Sequence, residues 1–409
     1  MNINLLDKIP SMLSGEELYN RLTDLPKYDK SIQNKNQTER FLSLSTLYDI
    51  YLPSEMSIEI YSKLYLALIR SLQKKYTKSA IQQSYQNHNT IMGRESRGII
   101  GGSDSFSIIG RSGIGKTSAI DRAISIVSNN KIIEFDKPAI KIIPCLKVEC
   151  PWDASVKSML LQILTEADRY LGTTYSVNAS KKRITTDMLI GMVSQVAMQH
   201  IGILIIDEIQ NCVGSKNGRG LVAMLTQLIN SSSISIGLVG TPETLSLFES
   251  AFQLARRSLG LQYNSLSKDS YFNSFCKTLF NYQYVRNTTE ITPQIIDWLY
   301  EHSDGITSVV VSLIHDAQEL AISTGYEKLD LNSLNHAYEE RLQLLHGYIH
   351  PQNIVQPKPK KKEPQIIISK PSKTNEPCSI LDLSKKSKEE SLDFIELLKE
   401  YFTVEEIKI

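Results

Sequence analysis

Phe106-Ser-Ile-Ile109 runs directly into Gly110-Arg-Ser-Gly-Ile-Gly-Lys-Thr117, and an amphipathic stretch follows. An apolar strand, a glycine-bearing turn of the form G-x-x-x-x-G-K-[ST] and a helix in that order are the parts of a phosphate-binding loop. Glycines let successive backbone N–H groups turn inward, and the next helix aims its positive end at the same point. Gly110, Arg111, Ser112, Gly113, Ile114, Gly115, Lys116, Thr117 and Ser118 are therefore the expected cradle of a nucleoside triphosphate, with Mg²⁺ as its companion ion. Lys116 supplies a point charge near the β- and γ-phosphates, and the Thr117 hydroxyl a position on the metal. Beyond the loop, Ile120, Ala123, Ile124 and Val127 recur at helical spacing, as a helix packed on a sheet requires.

About ninety residues downstream, Ile203-Leu-Ile-Ile206 ends in Asp207-Glu208. The apolar run reads as a buried parallel strand, whose C-terminal end places Asp207 to hold Mg²⁺ through water. Glu208 beside it is the candidate base for an attacking water, which points to hydrolysis rather than binding alone. Ser235-Ile-Gly-Leu-Val-Gly240 reads as another buried strand, ending at Thr241-Pro242. At that end Thr241 can meet the γ-phosphate or cap the turn at Pro242, and the two readings are compatible. Arg256 and Arg257 follow on a helical segment. They suit either a solvated surface or an arginine finger reaching a neighbour's triphosphate.

The nearly balanced charge (45 Lys+Arg, 44 Asp+Glu, net +1) predicts no polyanion partner from the whole-chain field, so any nucleic-acid contact must be local. Five cysteines without a C-x-x-C pair suggest free thiols rather than zinc or a disulfide framework. No apolar run approaches the ~20 residues that span a bilayer, and the start of the chain has no signal-peptide pattern. A cytoplasmic protein with no membrane partner is expected.

The fold class expected is α/β: a parallel-sheet ATPase core with an N-terminal helical domain, a C-terminal helical lid and a disordered tail. Residues 1–95 are polar and helical in pattern, with Tyr61, Leu64, Tyr65, Leu68 and Leu72 on one face. Strand and helix alternate over 96–270, which means a parallel sheet with helices on both faces. Residues 271–346 read as helices only. From 347 to 409 a lysine- and proline-rich linker leads to Leu392, Phe394, Ile395, Leu397, Leu398, Tyr401 and Phe402, an amphipathic helix short enough to need a partner.

These motifs together resemble an AAA+ ATPase. More closely, Leu204-Ile-Ile-Asp-Glu-Ile-Gln210, Val239-Gly-Thr-Pro-Glu243, the stretch Ile99–Gly110 and Tyr51–Tyr61 resemble the TnsC/TniB family of transposition regulators. The resemblance implies ATP-dependent assembly on double-stranded DNA, without sequence preference, as a ring or helical filament. It also implies two protein partners, a transposase and a target-selection protein of the TnsD/TniQ type, and nucleoid association when on DNA. By motif, Lys116, Thr117, Asp207, Glu208 and Thr241 become nucleotide-site residues, and Arg256 or Arg257 the finger. Many AAA+ lids carry an arginine where this chain has Gly305-Ile-Thr-Ser-Val309, so slow or partner-dependent hydrolysis is expected. Lys181, Lys182 and Arg183, followed by Thr185-Thr186, suit phosphate oxygens, and in the family this region faces the duplex. Trp152 and Lys157 are weaker candidates. A helicase loader or replication initiator of the same superfamily, and a nucleotide-gated scaffold with negligible turnover, are the competing readings.

Overall fold

The alternation of strand and helix after residue 100 is realised in a computed structural model, which describes residues 8–75, 77–94, 105–129, 132–136, 139–180, 184–250 and 258–341. Six strands form one sheet: β1 (Ser105–Gly110), β2 (Ile133–Asp136), β3 (Ala139–Glu149), β4 (Ile201–Asp207), β5 (Ser235–Gly240) and β6 (Ser258–Tyr263). Their order is β2-β3-β4-β5-β1-β6. All neighbours are parallel except β2 and β3, which run antiparallel at one edge. The register places Ile108 against Val239 and Leu261, and Glu149 against Asp207. The carboxyl ends of β1, β3, β4 and β5 thus open on one side, where doubly wound sheets bind ligands.

Period-2 alternation in the buried strands divides two apolar cores. Leu204 and Ile206 of β4 face the helices Val156–Leu171, Thr186–His200 and Gly218–Ser232, packing with Leu160, Ile163, Val193, Leu225 and Leu228. Ile203 and Ile205 face the opposite way, toward Leu64 and Leu68 of the helix Glu55–Lys74 and Ile120 and Ala123 of the helix Lys116–Ser128. Both strand and helix positions here are fully buried, each such side chain stabilising the fold by roughly 1.5–3 kcal/mol.

The helices of residues 1–95, expected as one unit, serve three different neighbours. Glu55–Lys74 and Gly15–Leu22 complete the core just described, through Leu18, Leu22, Ile60, Leu64 and Leu68. Lys78–Ile91 lies against the helices of the other face, where Gln195 Nε2 donates to Ser84 Oγ at 2.8 Å and Asn87 Nδ2 to Ser231 O at 3.0 Å. Gln37–Leu44 and the turn after it join the lid.

The lid consists of helices Ser270–Phe280, Pro293–Ser303, Thr307–Thr324 and Leu331–Arg341. Its core takes Phe272, Phe275, Leu299, Val310 and Leu313 together with Leu44, Leu47, Ile50 and Leu52 from the N-terminal segment. A bidentate ion pair seals the junction: Arg40 Nη1 and Nη2 donate to the two Glu327 oxygens at 2.7 Å each, and Nη1 also to Tyr284 O at 3.1 Å. Burial raises the proton affinity of Glu327, but Arg40 and the Arg286 N–H outweigh it and hold the carboxyl below its usual range. Among the described residues no helix is long and apolar enough to cross a membrane. Cys145, Cys150, Cys212 and Cys276 are free thiols, as the spacing suggested.

Candidate nucleotide and metal site

The P-loop joins the end of β1 to the helix that starts at Lys116, and two of its glycines adopt positive φ, +81° at Gly113 and +90° at Gly115. A β-carbon at Gly113 would also stand 2.3 Å from Ser308 Oγ of the lid, so only glycine fits there. Lys116 Nζ lies in the curve of the loop, donating to Gly110 O at 2.7 Å and Arg111 O at 2.9 Å. Burial pulls its pKa below the ordinary lysine value, against the opposing pull of Asp207, Glu208 and Glu243. The three carboxylates keep a cation favourable in a place that a polyphosphate would also neutralise.

Asp207 is 5% exposed at the end of β4, and the Thr117 hydroxyl donates to its Oδ2 at 3.1 Å. A hydroxyl and a carboxylate at that separation, both hard oxygen donors, fit Mg²⁺, and Thr117 and Asp207 would hold it. Lys147 Nζ, from β3, sits 3.8 Å from the same Oδ2 and 2.6 Å from Asp121 Oδ1. Glu208 follows with φ +56°, a left-handed kink that turns the chain out of the strand. Its N–H donates to Asp207 Oδ1 at 2.9 Å, and its carboxylate accepts from Gln210 Nε2. Thr241 occupies the N-cap position of the turn Pro242–Thr244 at the end of β5 without a side-chain capping bond, and its hydroxyl holds Glu243 below the usual carboxylate range. It also lines the cavity.

The cavity measures about 420 Å³, within the range of small-molecule sites. Its lining includes polar groups from the P-loop, Asp207, Glu208, Gln210 and Thr241. It also includes apolar side chains, Ile50, Leu52, Leu266, Tyr271, Phe275 and Val311. A lining of both kinds suits a nucleotide, whose phosphates are polar and whose base is planar and largely apolar. The apolar part escaped sequence reading, because it is assembled from the N-terminal segment and the lid, more than two hundred residues apart in the chain.

The lid touches the P-loop directly. Ser308 N and Thr307 Oγ1 donate to Gly113 O at 3.0 and 2.9 Å, and Arg111 pairs with Asp304. The lid segment of residues 305–309, which carries no arginine, thus meets the loop through a hydroxyl and a backbone N–H. The candidate finger residues Arg256 and Arg257 and the candidate DNA residues Lys181, Lys182 and Arg183 lie outside the described residues, as does the tail. Trp152 and Lys157 are exposed, Trp152 at 87%. Trp152 lies on the loop after β3 and Lys157 in the first turn of the helix Val156–Leu171. That loop is pinned to the one after β4, since Ser215 Oγ and Asn217 Nδ2 both donate to Asp153 O, at 3.1 and 3.0 Å. Lys216 on the second loop and Arg219 at the start of the helix Gly218–Ser232 are exposed as well.

P-loop, acidic strand end, polar neighbouring strand and helical lid define an AAA+ ATPase fold. Residues 99–263 match the family model described as bacterial TniB protein, the family that the motifs resemble. Solved structures with similar folds include the Aeropyrum pernix ORC1 protein in complex with DNA (13% identity, TM-score 0.42, 64% of each chain covered). The ADP form of the Aeropyrum pernix ORC2 protein is another (18%, 0.41, 64% of this chain and 67% of that one). Domain III of the Thermotoga maritima replication initiation protein DnaA is a third (15%, 0.36, 65% and 94%). The chain thus spans less than two thirds of the length of the ORC1 structure. A search of curated proteins finds no match.

Proposed function

We propose that this protein is an ATP-dependent regulator of DNA transposition, which assembles on duplex DNA and links a target-selection protein to a transposase. The observation that carries the reading is the Thr117–Asp207–Glu208 constellation facing the P-loop, in a core that matches the TniB family model. Lys116 and the loop N–H groups bind the phosphates. Thr117 and Asp207 would hold Mg²⁺, which would supply positive charge to offset the charge that develops on the phosphates. Glu208 accepts a proton from the attacking water. Arg256 or Arg257 completes the site of a neighbouring subunit in a homo-oligomer.

DNA is met through phosphates. Lys181, Lys182 and Arg183 remain the proposed contacts, and the exposed Trp152 and Lys216 on the pinned loops, with Lys157 and Arg219 at the starts of the helices that follow, add further basic and aromatic candidates. Contacts of this kind position a protein without reading sequence. A nucleotide-gated scaffold with little turnover is the second reading, favoured by the Thr307 hydroxyl and Ser308 N–H contacts to Gly113 O from a lid segment, residues 305–309, that carries no arginine.

Nucleotide affinity and turnover of two variants test the site. Lys116→Ala should lose ATP binding. Glu208→Gln should bind ATP normally and hydrolyse it roughly 10²–10⁴-fold more slowly. Normal ATP affinity in Lys116→Ala would refute the phosphate-site assignment. Wild-type binding without measurable turnover would favour the scaffold.

A further inference from the structure

Gln210 holds two groups that belong to different strands. Its Nε2 donates to the Glu208 carboxylate after β4, and its Oε1 accepts the Thr241 N–H at the end of β5, at 3.3 Å. A primary amide has one acceptor and two donors on a single plane, so the two demands fix its orientation. Turned over, it would set its oxygen against a carboxylate and its NH₂ against an N–H. Glutamate lacks the donor and methionine lacks both functions.

The surroundings are shaped to admit this side chain. A β-carbon at Gly240 would lie 2.9 Å from Gln210 Oε1, so the residue before Thr241 leaves room that only glycine leaves. The turn carrying Gln210, Ile209–Cys212, is anchored from the other side by β3. Asn211 Nδ2 donates to Cys150 O at 2.9 Å, and the thiols of Cys150 and Cys212 lie 3.6 Å apart. Ile209 and Cys212 are buried, which fixes the turn on the sheet. Gln210 therefore projects from a held platform into the cavity wall between Glu208 and Thr241.

We propose that Gln210 is the positioning residue for Glu208, tying the carboxylate that activates water to the strand end that meets the γ-phosphate. A carboxylate on a left-handed kink next to a 3₁₀ turn has several rotamers open to it. The amide selects one, and a shift of the Thr241 backbone passes to the carboxylate through a single rigid group. The inference rests on Glu208 acting as general base.

Three variants of the full-length protein, assayed with ATP and Mg²⁺, test it: Gln210→Ala, Gln210→Glu and Glu208→Gln. Gln210→Ala should lower kcat roughly 10- to 100-fold while KM and the affinity for a non-hydrolysable ATP analogue stay near wild type, the cost expected when a reacting group is misplaced by about an ångström. Gln210→Glu keeps an acceptor for the Thr241 N–H but has no donor for Glu208, so it should lower kcat at least as far as Gln210→Ala, again with KM near wild type. A structural role through Thr241 alone would leave Gln210→Glu at wild-type kcat. Wild-type kcat in both Gln210 variants, with Glu208→Gln inactive, would overturn the role of Gln210 alone. Wild-type turnover in Glu208→Gln would overturn the general-base assignment and this inference with it.

Discussion

At the scale of single residues, buried charges are the informative ones. Lys116 and Asp207 are buried at the cavity and face chemistry, whereas Lys75 is buried away from it. Lys75 Nζ donates to Ala197 O and Met198 O, at 2.9 and 2.7 Å, capping the C-terminal end of the helix Thr186–His200. Burial pulls its pKa down to about 7. The folded state then binds fewer protons than the unfolded one from about pH 7 up to the ordinary lysine value, and stability attributable to this group rises with pH across that window. Thermal unfolding of wild type and Lys75→Met between pH 7 and 10 checks the sign. Wild type should gain on the variant as pH rises; a constant difference would mean that Lys75 titrates as in the unfolded chain. The nucleotide residues were legible in the sequence because a P-loop is local: Gly110 to Thr117 fixes both conformation and chemistry within eight positions. Gln210 was quoted within a motif but not read as functional, since its partners, Glu208 and Thr241, meet only when two strands pair.

At the scale of elements, long periodic helices read well and their neighbours did not. The helix Thr186–His200 falls within the alternation expected over 96–270, and the apolar face of Glu55–Lys74 is buried through Tyr61, Leu64, Leu68 and Leu72. A stripe says that a face is apolar, not what covers it, so the division of the N-terminal helices among three neighbours was not visible. The edge strand β2, four residues long and antiparallel, carries too little pattern to be read from sequence. The junction of Gln37–Leu44 with the lid depends on the Arg40–Glu327 pair, with Arg40 only 2% exposed. Arg40→Met should destabilise the protein by about 2–3 kcal/mol, somewhat less than the ~3–5 kcal/mol of a fully buried pair, because Glu327 keeps some solvent contact. Urea unfolding monitored at constant m-value measures this, and a change under 0.5 kcal/mol would mean that the pair contributes little beyond packing. Since Glu327 is held below its usual pKa, the pair's contribution is present above that range and lost as pH falls through the folded value.

At the scale of the whole molecule, the proposed function is that of an assembly whose active sites are shared between subunits. The N-terminal segment and the lid both line the cavity, so nucleotide binding bears on how both pack against the core. If Arg256 or Arg257 serves a neighbour, an Arg→Ala protein mixed with Lys116→Ala should recover part of the turnover that each lacks alone, because some interfaces pair an intact loop with an intact arginine. No recovery at any ratio, with assembly intact, would return both arginines to the surface. The tail lies outside the described residues; we propose that its amphipathic end recruits the transposase, which predicts that deleting residues 357–409 spares ATP binding and assembly while abolishing transposition. The central claim, that ATP gates assembly on DNA, is tested most directly by imaging the full-length protein on duplex DNA with a non-hydrolysable ATP analogue, beside Lys116→Ala. Ordered oligomers on DNA of any sequence, lost in the variant and weakened steeply by salt, are the result predicted. Monomers under those conditions, or DNA binding that is the same with and without nucleotide, would contradict it.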